Sequence, residues 1–347
     1  MSRSLIVLPD DSAEPILKAI AGARKTLRVK MFVFSDPKLL AAAIDAKRRG
    51  VKVRVMLNPA RRSGEEDNEP TRRALERADV EVKDANPTFD LTHEKSMVVD
   101  DATAFVNSLN WATENLTETR DYAIVTEHAH EVNEIIAGFE ADWHRKKFDP
   151  GPKAHLIWCP GGRDDICRFI DGAKHHLFLQ NERYQDAVII ERLVRAARRG
   201  VKVHVMARPP HTLKKDKLVE GVGGLRIMND VGIKTHKLKH LKLHGKMLLA
   251  DGVAAIVGSI NFAPGSLDGR RELAIEVRDD KVVKQLHKVA KHDWEHSHPL
   301  DLSDEGLVAD LEDRIEGSAE TLAIDDKGRK TKKKKGRARR SRKTSPR

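Results

Sequence analysis

The strongest constraint on the fold of this chain is that it repeats itself. The run RRGVKVRVM in segment 22–57 returns as RRGVKVHVM in segment 172–207, changed at one position and displaced by 150 residues. A period of that length implies two copies of one supersecondary unit. Within the first copy, Leu27–Phe34 is rich in β-formers, and Pro37–Arg49 carries apolar residues at helical spacing. Gly50 stands where a helix C-cap belongs, and Val51–Leu57 alternates valine with Lys/Arg before Asn58-Pro59. Strand, helix, glycine, strand predicts a βαβ unit with parallel strands and a right-handed crossover. Each half then offers two further strands, a long loop and a closing helix, about Ala129–Phe148 in the first and Lys281–His296 in the second. The junction Phe148–Pro152 is dense in turn formers. It divides the chain into halves 1–150 and 151–300, expected to pack about a pseudo-twofold axis.

A second repetition lies inside the first. THEKSMVVDDATAFVNSLNW and LHGKMLLADGVAAIVGSINF both read His-x-Lys, four residues, Asp, six residues, Gly/Asn-Ser-x-Asn. The first copy is His93, Lys95, Asp100, Asn107, Ser108 and Asn110; the second is His244, Lys246, Asp251, Gly258, Ser259 and Asn261. Eleven residues beyond each final asparagine stands an acid preceded by arginine, Arg120-Asp121 and Arg271-Glu272. One His-x-Lys is weak. Six positions at identical offsets, twice, are not.

In a strand, residues i and i+2 share a face, so each histidine projects with its lysine. The apolar runs that follow can anchor the pair in a sheet. The Ser and Asn ending the next strand carry donors for an oxyanion. Two imidazoles, two ammonium groups and two amides in one cleft suit a phosphodiester and the charge that grows on it in the transition state. Two histidines at one phosphorus suit double displacement: a neutral one attacks and forms a phosphohistidine, and a protonated one gives its proton to the leaving oxygen, then takes one from water or an alcohol. Asp121 and Glu272 would each hold a histidine Nδ1–H and leave Nε2 to react. Lysines and asparagines supply the charge, so the chemistry calls on no metal and no cofactor.

The paired motifs resemble the phospholipase D superfamily, and the chain is similar to bacterial cardiolipin synthases and phospholipase D-like proteins over roughly residues 5–300. That resemblance implies an α/β fold: two phospholipase D-like halves with mixed sheets flanked by helices, sharing one site and forming a phosphohistidine. By motif position it implies His93 as nucleophile and His244 as general acid. Lys95, Lys246, Asn110 and Asn261 would bind phosphate oxygens, with Asp100 and Asp251 structural and Ser108 and Ser259 supporting. Asn107 departs from the usual glycine and would narrow its side of the cleft.

Charge fixes the remaining expectations. Residues 327–347 carry 13 Lys/Arg and no acid, and residues 301–326 carry ten acids and one arginine, leaving 1–300 at +7 of the total +11. The basic run lacks apolar residues and is expected to be a disordered arm for an anionic membrane surface or nucleic acid. The acidic run, with the weak amphipathic pattern LVADLEDRIE, is expected to be a linker. No apolar stretch approaches a membrane span, and two cysteines, Cys159 and Cys167, make no disulfide framework. The expectation is a cytoplasmic, monomeric protein, peripheral on a membrane if its substrate is lipid. His236, His240 and His244 fall at i, i+4 and i+8, but Gly245 and the alternating leucines argue for a loop entering a strand over a metal-binding helix. Trp111 and Phe262, which follow the motif asparagines, are expected in the core behind the site. Phospholipid is the favoured substrate. Nucleic acid, cut by an endonuclease of the same superfamily, and non-catalytic polyanion binding are the alternatives.

Overall fold

The structure is a computed structural model and describes residues 2–61, 64–209 and 218–307. LVADLEDRIE from Val308 onward and the whole basic run lie outside the described residues.

The first half runs β1 (Arg3–Leu8), α1 (Glu14–Gly22), β2 (Thr26–Met31), α2 (Pro37–Arg48), β3 (Lys52–Leu57), α3 (Glu69–Arg77) and β4 (Glu81–Asp84). It continues with β5 (Ser96–Val99), β6 (Thr103–Asn107), α4 (Thr113–Thr117), β7 (Thr119–Thr126) and α5 (Ala129–Trp143). The second half runs β8 (Ile157–Cys159), α6 (Arg163–Gly172), β9 (His176–Gln180), α7 (Ala187–Arg198), β10 (Lys202–Met206), α8 (Leu218–Asp230) and β11 (Lys234–Leu238). It closes with β12 (Lys242–Leu243), β13 (Met247–Ala250), β14 (Ala254–Gly258), a π-turn (Gly265–Gly269), β15 (Glu272–Val277), α9 (Asp280–Glu295) and β16 (Ser297–Pro299). The repeated βαβ unit is built alike twice. Asp36 caps α2 by accepting from the Lys38 and Leu39 amides, and Asp186 caps α7 through the Ile189 amide. Gly50 and Gly200 end these helices at φ +90° and +89°, the left-handed conformation that glycine adopts without strain.

The sheets have one strand order. In the first it is β1-β7-β6-β5-β2-β3-β4, and in the second β8-β15-β14-β13-β9-β10-β11, with β16 added at the edge. β2, β3 and β4 are mutually parallel, as are β9, β10 and β11; the other neighbours are antiparallel. The α/β class with two similar halves and mixed sheets is therefore as expected.

Side chains alternate across these sheets, as the pleat requires. Met97, Val99 and Phe105 point to an outer core under α1 and α2, and Val98, Ala104, Val106, Tyr122 and Ile124 point inward. In the second half Leu248, Ala250 and Ile256 point outward, and Met247, Leu249, Ala255, Val257 and Leu273 point inward. The two inward sets form one hydrophobic cluster. The closing helices cross over within it: α9 packs on β1, and α5 lies so close to β8 that a Cβ on Gly138 would fall 2.7 Å from the Trp158 ring. Residues up to Leu302 thus make one compact unit.

Three details differ from the sequence reading. β2 stops at Met31, because the Phe34 amide bonds the Asn68 side chain and the Ser35 and Asp36 amides turn to the Trp111 carbonyl. α5 ends at Trp143, where the chain reverses through Arg145 at φ +58°. The elements β1, α1, α3 and β4 and their second-half counterparts β8, α6, α8 and β11 have no place in that reading, and neither do β7 and β15, which add a strand to each sheet before the closing helix.

Candidate active site

Each His-x-Lys segment is docked on the other half. The His93 and Glu94 amides donate to the Arg271 carbonyl at 2.9 and 2.8 Å; the His244 and Gly245 amides donate to the Arg120 carbonyl at 3.3 and 2.7 Å. β12 extends this as a two-residue parallel pairing with β7. Arg120 and Arg271 are themselves locked across the molecule. Arg120 makes a two-nitrogen contact with Asp293 of α9 at 3.0 Å, and Arg271 does so with Asp142 of α5 at 2.8 and 2.9 Å. All four groups are buried, which is where such paired, charge-assisted bonds hold geometry best.

The acid after each arginine therefore meets the other half's histidine. His93 Nδ1 lies 2.9 Å from Glu272 Oε2, and His244 Nδ1 lies 2.9 and 3.0 Å from the two oxygens of Asp121. Ser108 donates to Asp121 at 2.5 Å and accepts from the Tyr122 amide. Ser259 accepts from the Leu273 amide at 3.0 Å. Lys95 Nζ donates to the His93 carbonyl at 2.6 Å, and Lys246 Nζ donates to the His244 carbonyl. Asn110 and Asn261 are buried, each with an Oδ1 lacking a partner. Asn107 is only 1% exposed, and its Oδ1 also lacks a partner. At the matching Gly258 a Cβ would fall 2.3 Å from the Leu273 carbonyl, so only the first half has room for the departure.

Asp100 and Asp251 stand at the far ends of β5 and β13 and do not join this cluster. Each accepts from three consecutive backbone amides, Arg24–Thr26 and Lys174–His176 respectively. Burial pushes their carboxyls up, but those donors outweigh it and hold them below the usual carboxylate range. Trp111 and Phe262 lie in the two outer cores. His236 sits in a strand with its ring stacked 3.9 Å from Trp294, so it and His244 share no helix face. Both cysteines are buried and free, and burial pushes their thiols up.

The two histidines differ in surroundings. Around His93, burial first, then the charges of Lys95, Lys246 and Arg270, push the imidazole well below its usual pKa. Lys95 is itself pushed down to about 7, chiefly by burial. Glu272 is raised, because burial outweighs Lys95 and the serine donors. His244 instead has carboxylates at both ring nitrogens, since Glu182 Oε2 lies 3.9 Å from its Nε2. Against burial, Lys246, His244 and Arg208 hold Glu182 well below the usual range. Asp121 is also lowered, burial being outweighed by His244 and Lys246.

Sequence reasoning missed Glu182, Phe32 and Arg270 at this site. Phe32 and Glu182 are 150 positions apart, and the Phe32 ring packs 4.7 Å from His93. The signal was present as the change from phenylalanine to glutamate between aligned repeats. It also missed why the middle residue of His-x-Lys differs. Glu94 reaches buried Lys30 at 2.9 Å, whereas a Cβ on Gly245 would fall 2.8 Å from the Tyr122 ring.

Two α/β halves that exchange histidines and acids around one cluster define a phospholipase D-like protein. The family model described as "Cardiolipin synthase, PLD-like domain" matches residues 16–143 and again 166–294. The chain belongs to that family. Cardiolipin synthase B of Salmonella typhi is 27% identical over 311 residues, covering 76% of this chain and 73% of that protein. The namesake from Escherichia coli K12 is 26% identical over 315 residues, with the same coverages of 76% and 73%. Human mitochondrial cardiolipin hydrolase is 30% identical over 159 residues, 43% of this chain and 61% of that one. Among solved structures, phosphatidylserine synthase of Haemophilus influenzae Rd KW20 shares the fold at TM-score 0.65 and 11% identity, covering 92% of this chain and 94% of that one. Polyphosphate kinase of Porphyromonas gingivalis shares it at TM-score 0.68 and 14% identity, covering 92% and 54%.

Proposed function

We propose that this chain is a phosphodiester hydrolase or phosphatidyltransferase that acts on phospholipids through a phosphohistidine. The observation that carries this is the opposite electrostatic setting of its two crossed histidines. His93 is kept neutral, and a neutral Nε2 has the lone pair that attacks phosphorus. His244 sits between Asp121 and Glu182, an arrangement complementary to an imidazolium that gives its proton to the leaving oxygen. In the first step the phosphorus–oxygen bond to the leaving group breaks as the bond to His93 Nε2 forms. In the second, water or an alcohol attacks phosphorus, its proton passes to His244 Nε2, and the electron pair returns to His93. Lys95, Lys246, Asn110 and Asn261 hold the phosphate oxygens, with Arg270 adding to the positive field.

Lipid is favoured because the similar curated proteins are named for cardiolipin chemistry. Among the described residues no helix is long and apolar enough to cross a membrane. Contact with a bilayer is therefore assigned to surface attraction, with the 13 basic residues of 327–347 as its arm. Turnover compared side by side on phosphatidylglycerol, phosphatidylcholine and single- and double-stranded DNA tests the reading. Turnover of lipid is expected. Turnover of DNA alone would make the chain a nuclease, and turnover of none would make it a polyanion-binding protein.

A further inference from the structure

The site contains a carboxylate that phosphodiester binding does not call for. Glu182 Oε2 lies 2.8 Å from Lys246 Nζ and 3.9 Å from His244 Nε2, and its Oε1 lies 3.1 Å from Arg208. Its side chain retains 12% exposure, so it lines the cluster rather than sealing it. An anion here repels a phosphate and neutralises one of the two motif lysines. At the equivalent place in the first half, Phe32 offers an apolar wall, its ring 4.7 Å from His93 and 5.2 Å from Lys95 Nζ. The pseudosymmetric site is thus apolar beside His93 and anionic beside His244, the nitrogen that handles the leaving and incoming oxygens.

We propose that Glu182 determines which acceptor takes the phosphoryl group: it accepts a hydrogen bond from a second hydroxyl adjacent to the attacking one, selecting a vicinal diol such as a glycerol headgroup over a simple alcohol. This rests on the phosphohistidine reading above. An attacking alcohol oxygen bonds to phosphorus as the bond from phosphorus to His93 Nε2 breaks, and its only proton goes to His244 Nε2. It has none left for Glu182. A carboxylate with about four acceptor positions, two of them engaged by Lys246 and Arg208, then faces the alcohol without a donor. Each Glu182 oxygen keeps its cationic partner, so a simple alcohol leaves no carboxylate oxygen orphaned; it only forgoes a further charge-assisted hydrogen bond. A diol supplies the missing O–H from its neighbouring carbon, and water supplies it from its own second hydrogen.

The test uses the full chain, a nitrophenyl phosphodiester as donor, and 1,2-propanediol and 1-propanol as acceptors of similar size. The ratio of transfer product to hydrolysis product is read for each alcohol at one concentration. Both products arise from one intermediate, so a slower first step cancels from the ratio. The wild type is expected to favour the diol by about tenfold, the factor for one charge-assisted hydrogen bond. In Glu182→Gln the two ratios should converge to within about twofold, while Glu182→Asp, which keeps the charge, should retain part of the preference. Equal ratios in the wild type, or an undiminished preference in Glu182→Gln, would overturn the proposal. If wild-type protein forms no covalent adduct, as judged by intact mass, the phosphohistidine reading fails and the acceptor role falls with it. An adduct with equal ratios removes only the role of Glu182.

Discussion

His93 Nδ1 lies 2.9 Å from Glu272 Oε2, an atom of the other half of the molecule and 179 positions along the chain. The reverse relation, His244 to Asp121, spans 123 positions. Neither half therefore holds a histidine together with the acid that orients it. The cause lies in the backbone: each His-x-Lys segment pairs with the residue before the other half's acid, so imidazole and carboxylate leave adjacent strands side by side. In the proposed mechanism His93 gives its Nδ1–H to Glu272 and keeps its Nε2 lone pair for phosphorus, and the shared inner core joins the two halves that supply the pair.

Unequal settings predict unequal mutants. His93→Ala should lose turnover and any covalent adduct. His244→Ala should be nearly inactive on esters with poor leaving groups, yet still form an adduct with a nitrophenyl phosphodiester, whose leaving group needs little protonation. That adduct should persist, since the base for the second step is gone. Intact-mass measurement of quenched samples decides it. An adduct in His93→Ala but not in His244→Ala would reverse the roles.

The state of Lys95 predicts a pH effect on anion binding. Burial brings this ammonium down to about 7, so it is charged below that pH and neutral above it. Sulfate, whose charge is constant in this range, should compete well at pH 6 and progressively less above 7. Its inhibition constant should rise toward about tenfold per pH unit, the limit for one linked proton. Lys95→Met should bind sulfate weakly at every pH, with no step near 7. A wild-type inhibition constant that stays flat from pH 6 to 9 would show that Lys95 does not titrate in the free enzyme.

Much of this arrangement is legible in the sequence, and the reason differs by residue. The βαβ unit could be read because Gly50 and Gly200 mark the same break and the valines of β3 and β10 recur every second position. Asp121 and Glu272 could be read because both stand eleven residues past an asparagine. That they cross between halves could not, because the pairing depends on which strands adjoin. Asp142 and Asp293 were equally hidden. Each reads as a helix acid, and its burial against an arginine exists only once α5 and α9 cross.

A site whose positive charge comes from lysine and arginine should work after metal is stripped. Turnover of a lipid or nitrophenyl substrate is expected to survive prolonged EDTA treatment and gel filtration. Loss of activity restored by zinc or magnesium would refute this.

Removing residues 327–347 should leave turnover of a short soluble phosphodiester within about twofold of the full chain, because the histidine, lysine and asparagine cluster lies within the compact unit that ends at Leu302. Binding to vesicles rich in phosphatidylglycerol should weaken, and what remains should depend less steeply on salt. Unchanged vesicle affinity would assign membrane attraction to the folded unit instead.

The crossed ion pairs carry a stability prediction. Asp142 faces two buried cations, Lys30 at 2.7 Å and Arg271 at 2.8 Å. In Asp142→Ala, Lys30 keeps Glu94 at 2.9 Å, but Arg271 is left without its carboxylate at 4% exposure. Breaking one side of such a buried pair costs about 3–5 kcal/mol, because the remaining charge can neither reach water nor lose its proton. The same change should uncouple Arg271 from α5 and so displace the carbonyl that holds His93, so activity should fall as well. Urea unfolding followed by circular dichroism should show the unfolding free energy lowered by that amount, read as a lower midpoint at unchanged slope. It should remain a single transition, since the inner core belongs to both halves and neither can unfold alone. Arg271→Met combined with Asp142→Leu, which removes both charges and keeps the volume filled, should recover much of the stability but not the activity. A loss below about 1 kcal/mol in Asp142→Ala, the range of an exposed pair, would mean that water reaches Arg271 and that the closing helices are held by their apolar faces alone.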